Sequence, residues 1–205
     1  MSEILRLHPD NPQLRQIKLA VAILQKGGVI IYPTDSGYAI GCILENKKGL
    51  ERIKQIRALD NHHHFTLICR NLSEIATYAF ISNVYFRVLK ANTPGAYTFI
   101  LPATKEVPKR LMHPKRNTIG IRVPDHLIVQ ALLTALDAPL MSVTLHVDDE
   151  DDYVEAEDIY ARFAKQVDLV IDGGYCILQP TTIVDLEGES PVIIRQGKGD
   201  VAPFV

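Results

Sequence analysis

Val29-Ile30-Ile31-Tyr32-Pro33-Thr34-Asp35-Ser36-Gly37-Tyr38-Ala39-Ile40-Gly41-Cys42 is the stretch on which the fold turns. Residues 29–32 are β-branched or aromatic, the types that suit a pleated, buried surface. Residues 33–37 are turn formers, and 38–44 resume an apolar run. Strands joined by so short a turn must run antiparallel, because a parallel return needs a crossover of a dozen residues or more. Upstream, Ile17, Val21, Ala22 and Leu24 have helical spacing, and Gly27-Gly28 stops that helix.

The same alternation continues outward. Residues 50–59 read as a helix offering Leu50, Ile53, Ile56 and Ala58 to a core, and 65–69 as a buried strand. Helices are expected at 73–79 and 85–89, the second broken by Asn92-Thr93-Pro94-Gly95. Strands at 97–101 and 118–123 flank a basic, proline-containing loop. Pro124 ends the latter strand, and Asp125 is expected to cap a helix reaching about residue 136. A strand at 140–147, a helix ending near Lys165 and a strand at 169–172 follow. Residues 182–186 and 192–195 flank Glu187-Gly188-Glu189, a hairpin signal. Strands and helices interleave, yet several connections are too short for crossovers. The expected fold is α/β: a single domain, residues 1–205, with a twisted mixed parallel/antiparallel sheet flanked by helices.

Composition agrees with a globular chain of 205 residues, 47% of them hydrophobic and 22% charged. No apolar run approaches the roughly 18 to 20 residues needed to span a bilayer, so no membrane association is expected. Residues 1–13 are mixed polar and lack a secretory signal's basic and apolar regions. Cys42, Cys69 and Cys176 are odd in number and far apart, and read as buried free thiols in a reducing cytoplasm. The net charge is −2, but the segment 148–158 carries eight acidic residues without a cation, so the rest of the chain carries +6. An acidic total therefore does not exclude a polyanionic partner.

Four strand regions carry polar groups where a core strand needs none. Thr34, Ser36 and Tyr38 crowd the first turn, as in a ligand loop held beyond a strand end or in a plain Ser/Thr turn. Period two puts Thr118, Gly120 and Arg122 on one face, a hydroxyl, a bare backbone and a guanidinium. That set suits a phosphate, though a surface ion pair explains it too. Ser142 and Thr144 share a face opposite the core, either a site or a solvated side. Thr181 and Thr182 stand at the mouth of a strand, with Arg195 at the end of the last one. Together these faces have the makings of a phosphate-binding concavity, although no P-loop is present.

Other features are ambiguous. His62-His63-His64 has three imidazoles, but consecutive residues cannot all point one way, so a solvated loop is favoured and no metal site is assigned. Residues 105–122 hold six cations and one acid, which suits a nucleic-acid backbone or an ordinary soluble loop.

Taken in order, the blocks resemble the YrdC-like domain superfamily. The residues that carry the likeness are 27–42, Thr93-Pro94-Gly95-Ala96-Tyr97-Thr98, Gly120-Ile121-Arg122-Val123-Pro124-Asp125-His126 and Pro180-Thr181-Thr182-Ile183-Val184-Asp185. Thr-Asp-Ser-Gly-Tyr at 34–38, Asn-Thr-Pro-Gly at 92–95 and Gly-Lys-Gly-Asp-Val-Ala-Pro-Phe at 197–204 are closest to its YciO branch. The resemblance implies a YrdC-like fold with a positively charged concave face that binds adenine nucleotide and double-stranded RNA or tRNA. The superfamily's threonylcarbamoyl-AMP synthases join L-threonine, bicarbonate and ATP, with Mg2+, for the t6A modification of tRNA. By that resemblance Thr34 and Tyr38 shape an amino-acid pocket, while Thr118, Arg122, Ser142, Thr144, Thr181 and Arg195 surround ATP or AMP. From the basic loop, the expected RNA contacts are Lys109, Arg110, Lys115 and Arg116; no tightly bound metal is expected.

Two departures stand out. The synthases' Lys-x-Arg motif is Arg57-Ala58-Leu59 here, leaving Arg57 as the catalytic candidate, and a nearby lysine corresponds to His63. Their Ser-x-Asn is Ser142-Val143-Thr144, without the amide that both donates and accepts. The expectation is a cytoplasmic YciO-type protein that binds nucleotide and RNA and synthesises or breaks down threonylcarbamoyl-AMP. The alternative is a non-catalytic RNA-binding module on the synthase scaffold.

Overall fold

The structure, a computed structural model, describes residues 3–59, 65–145 and 155–205. His62, His63 and His64, and most of the acidic run 148–158, lie outside the described residues. Ten strands and six α-helices are described. They begin with β1 (Glu3–Arg6), α1 (Leu14–Gln25), β2 (Ile30–Thr34), β3 (Gly37–Ile43), α2 (Lys47–Ile56) and β4 (Thr66–Ile68). Then come α3 (Leu72–Tyr78), α4 (Asn83–Asn92), β5 (Tyr97–Pro102), β6 (Thr118–Arg122) and α5 (Leu127–Leu136). The last are β7 (Leu140–Thr144), α6 (Ala156–Phe163), β8 (Leu169–Asp172), β9 (Thr182–Asp185) and β10 (Val192–Arg195).

The chain divides into two compact units, each made of two separate segments. The first comprises residues 1–63 and 126–178. Its strands run β1-β8-β2-β3-β7. The β2–β3 hairpin is antiparallel, pairing Ile30 with Gly41 and Thr34 with Gly37, as the short turn requires. β3 pairs antiparallel with β7, whereas β8 runs parallel to both β2 and β1. β2 is buried throughout, which explains its unbroken apolar run. α1 turns Ile17, Ala20, Val21 and Leu24 inward and packs on α5, which buries Ile128, Val129, Leu132, Leu133 and Leu136. Burying side chains of this size stabilises by roughly 1.5–3 kcal/mol each before entropy is charged against it.

The second unit comprises residues 64–125 and 179–205, with strand order β4-β6-β5-β9-β10. β4 runs parallel to β6 and β5 parallel to β9; β5–β6 and β9–β10 are antiparallel. Along β5 burial alternates, with Tyr97, Phe99 and Leu101 facing the core and Thr98 and Ile100 the other side. Phe204 closes that core against Tyr97 and Phe99, its ring centroid 5.4 and 5.9 Å away. The Thr93–Pro94 peptide is cis.

The expected α/β class, with mixed strand pairing flanked by helices, is what the structure shows, and all three cysteines are buried free thiols. Three local expectations need correction. β1 forms in a stretch whose mixed polar composition carried no strand signal; its partner β8 lies more than 160 residues away in sequence. The N-cap of α5 is His126, not Asp125, because the extended backbone persists one residue further. Ser142 and Thr144 do not share an exposed face, since Ser142 is buried and only Thr144 is exposed.

Candidate functional site

In the first unit the polar side chains gather around the β2–β3 turn. Gly37 adopts φ +112°, which a β-carbon would resist, and one there would also meet Leu178 Cδ1 at 2.9 Å. Thr34 Oγ1 donates to the Gly37 carbonyl (2.6 Å) and accepts from the Ser36 amide (3.1 Å). The Ser/Thr turn anticipated from the sequence is therefore made, and Thr34 and Ser36 are buried within it. Tyr38 donates to the Gly174 carbonyl at 2.9 Å. Burial first, then the nearby Cys176 thiol, pushes the Tyr38 phenol up, so it stays a neutral donor. The loop that holds Gly174 is itself tied, because Asp172 accepts from the Gly174 amide (2.9 Å) and pairs with Arg6 of β1 (3.3 Å).

Beneath this turn Tyr32 donates to Ser142 Oγ at 2.6 Å, and Ser142 donates onward to the Ile40 carbonyl at 3.3 Å. At the end of β7, Arg57 Nε donates to the Thr144 carbonyl at 2.7 Å. The two departures from the synthase motifs thus meet, Arg57 of one bonding Thr144 of the other. Ala58 beside it adopts φ +48°. Burial lowers the Arg57 and Arg195 pKa values, but a guanidinium remains charged at any ordinary pH.

In the second unit Arg195 donates through Nε and Nη2 to the Thr181 carbonyl (3.2 and 2.9 Å). Thr181 Oγ1 lies 2.9 Å from Thr98 Oγ1. Among the described residues no carboxylate pairs with Arg195, so its positive charge is not cancelled by a neighbour. Thr118 and Arg122 are buried at opposite ends of β6. The terminal segment is tied to β9: Thr182 Oγ1 donates to Gly199 O (2.5 Å), the Gly197 amide donates to Thr182 Oγ1 (3.0 Å), and the Lys198 amide donates to Pro180 O (2.8 Å).

A cavity of about 240 Å³ lies here, with Thr98, Ile100, Arg116, Thr118, Ile183 and Ile194 in its lining. Gly120 leaves room there; a β-carbon would meet Thr66 Oγ1 and Thr98 Cγ2 at 3.4 Å. Lys109, Arg110 and Lys115 of the basic loop are exposed, while buried Leu111 anchors it. Arg116 is exposed as well but ion-paired within the unit, with Nη1 2.8 Å from Asp185 and Nε 3.3 Å from Glu187. Thr98 and Asp185 were absent from the candidates. Of the two, Thr98 left a signal, a hydroxyl on the non-core side of an alternating strand.

The sequence matches the Sua5/YciO/YrdC family, described as "Telomere recombination", over residues 22–197. The chain belongs to this family. It is 55% identical over 207 residues to the "Uncharacterized protein YciO" of Escherichia coli (strain K12), covering the whole of both, and 54% identical to a Haemophilus influenzae protein. The crystal structure of E. coli YciO matches with a TM-score of 0.95 over 100% of both chains. P. abyssi Sua5, crystallised with L-threonine, matches with a TM-score of 0.87 at 21% identity. That match covers 96% of this chain and 58% of Sua5. At that identity the likeness to Sua5 is one of fold. Among the described residues no helix is long and apolar enough to cross a membrane.

Proposed function

We propose that this member of the family binds an adenine nucleotide on its second unit and L-threonine on its first, and makes or breaks threonylcarbamoyl-AMP. The observation that carries the reading is Arg195, a guanidinium pre-set on a neutral carbonyl beside the Thr98–Thr181 hydroxyl pair. Such a set offers donors and positive charge to a phosphate without a competing carboxylate. The amino-acid end is supported by the Thr34–Tyr38 turn and by the fold shared with a Sua5 crystallised with L-threonine.

In the synthetic direction threonine and bicarbonate give the carbamate with loss of water. A carbamate oxygen then attacks the α-phosphorus of ATP, forming the P–O bond as pyrophosphate leaves. In breakdown by hydrolysis, a separate reaction, water attacks the phosphorus and that P–O bond breaks, releasing AMP and the carbamate. The carbamate is already an oxygen nucleophile, so positioning and charge neutralisation matter more than a strong base. Hydroxyls and guanidinium groups are poor ligands for magnesium, so Mg2+ is proposed to enter as the counter-ion of ATP, held by phosphate oxygens and water. Exposed Lys109, Arg110 and Lys115 are the proposed contacts for double-stranded RNA or tRNA.

A non-catalytic RNA-binding module has one observation in its favour: Arg57 commits its Nε to the Thr144 carbonyl, and Leu59 supplies no second cation. Calorimetry with AMP and ATP, followed by incubation with ATP, threonine, bicarbonate and Mg2+ and separately with preformed threonylcarbamoyl-AMP, decides between the two. Nucleotide binding with adenylate formed or consumed supports the enzyme. RNA binding without any adenylate turnover establishes the module, and absence of nucleotide binding ends the site reading altogether.

A further inference from the structure

The tip of the β9–β10 hairpin and the connection from α3 to α4 border a groove of about 610 Å³, which shares no lining residue with the cavity of about 240 Å³. We propose that this groove docks a segment of a partner protein that sets bulky apolar side chains beside lysine or arginine. The proposal is independent of nucleotide binding, and every residue it uses belongs to the second unit.

The apolar surface comes first. Phe80 and Val84 line the groove yet are 64% and 70% exposed, and Ile81, Pro102 and Leu186 continue the apolar lining. Exposed apolar residues scattered singly are ordinary, but several gathered in one concavity mark a place of contact. A small ligand within the groove leaves much of Phe80 and Val84 in water. A protein segment laid along it covers both, as an apolar anchor seated in a groove does.

Charge selects the occupant. The charged side chains of the lining are Glu187 and Glu189. Arg116 answers Glu187 at 3.3 Å, whereas among the described residues no cation pairs with Glu189. Burial, then the charges of Asp185 and Glu189, push the Tyr85 phenol up, so the negative potential reaches the groove wall. Nucleic acid, anionic lipid and acidic peptides carry the wrong charge for this rim. Lysine or arginine flanking an apolar anchor complements it.

The groove is also pre-formed. The Phe80 amide donates to Pro102 O (2.9 Å) and the Thr104 amide to Tyr78 O (2.9 Å), so backbone pairing holds this segment at the end of β5. Ser82 caps α4, its Oγ accepting from the Tyr85 amide at 3.3 Å and its carbonyl from the Phe86 amide at 2.9 Å. Tyr85 then ties α4 to the hairpin, donating to Gly188 O at 2.7 Å, while the Leu186 amide donates to Ile100 O at 2.9 Å. With both walls fixed beforehand, little ordering opposes association.

The test uses fluorescence anisotropy on the full chain with three labelled peptides, one of leucine and lysine, one of leucine and glutamate and one of serine and lysine. Backbone amide NMR shifts locate the binding. The leucine–lysine peptide is expected to bind about 10-fold or more tighter than either of the others and to shift amides within 80–85 and 186–189. Phe80→Ser should weaken it about 10- to 30-fold, as loss of an aromatic anchor does. Glu189→Lys should weaken it about 3- to 10-fold and flatten its salt dependence. If a thermal melt shows Phe80→Ser unfolded, Val84→Ser takes its place. No binding of the leucine–lysine peptide, or shifts confined to other amides, overturns the proposal. So does an equally tight leucine–glutamate peptide, or wild-type affinity in the folded anchor variant. Duplex RNA or phosphatidylglycerol vesicles whose binding falls in that variant also overturn it, because both carry the charge this rim repels.

Discussion

Removing the Ser142 hydroxyl asks whether β2 and β7 are coupled through a buried bond. Tyr32 and Ser142 are 0% and 2% exposed, and their oxygens are 2.6 Å apart, short even for a hydroxyl pair. Ser142→Ala takes away the acceptor and leaves the Tyr32 hydroxyl buried without this partner, which costs about 1–3 kcal/mol. Tyr32→Phe is milder, about 0.5–1.5 kcal/mol, because Ser142 keeps its bond to the Ile40 carbonyl. In the double variant neither stranded group remains, so its loss should fall short of the sum by about 1 kcal/mol or more. Urea unfolding gives all four free energies from midpoints at constant slope. For a chain of this length each kcal/mol also lowers Tm by about 2–4 °C. Losses that add within about 0.5 kcal/mol refute the bond and, with it, the reading of Ser142 as a structural link as well as a candidate ligand.

Three other outcomes are expected. Arg195→Ala should weaken AMP about 10- to 100-fold by calorimetry while sparing adenosine, since a charge-assisted hydrogen bond is worth about 1.5–3 kcal/mol; equal losses on both ligands contradict a phosphate role. Burial, and then the charge of Glu74, pushes the Cys69 thiol well up. Its contribution is therefore complete below about pH 8.5, where an unfolded thiol titrates, and is lost as pH rises toward the folded value. Cys69→Ala should flatten the fall of urea midpoints above that pH, and an unchanged profile removes Cys69 as its cause. Ala58→Gly relieves a left-handed backbone at φ +48° and should raise Tm by about 1–4 °C; a lower Tm in a scanning melt contradicts that relief.

What could be read from the chain was whatever neighbours in sequence determine. The β2–β3 hairpin, the alternation of β5 and the β9–β10 hairpin were legible because turn residues and period-two patterns lie within a few positions. β1 was not, because Glu-Ile-Leu-Arg becomes a strand only when Leu169–Asp172 arrives beside it. The candidate site divides in the same way. Thr34, Tyr38, Thr181 and Arg195 announced themselves as polar groups at strand ends. What each one touches did not, since Tyr32 and Ser142 are 110 positions apart, Arg57 and Thr144 87, and Arg116 and Asp185 69. Ser142 looked solvated because a serine in alternating sequence gives no hint that a tyrosine hydroxyl waits inside.

The interleaving of the two units also sets a timetable for the nascent chain. The first unit needs residues 126–178 to join 1–63, and the second needs 179–205 to join 64–125. The first therefore waits until all of 64–125 has been made, and the second waits for a segment that follows the whole of the first. Ile30 emerges 139 residues before its partner Leu169, a delay on the order of ten seconds at ordinary rates of translation. During that interval the apolar edge of β2, buried on both sides in the finished protein, has no strand along one flank. An exposed edge of that kind invites other chains to pair with it, so the demand this topology makes on chaperones falls during synthesis.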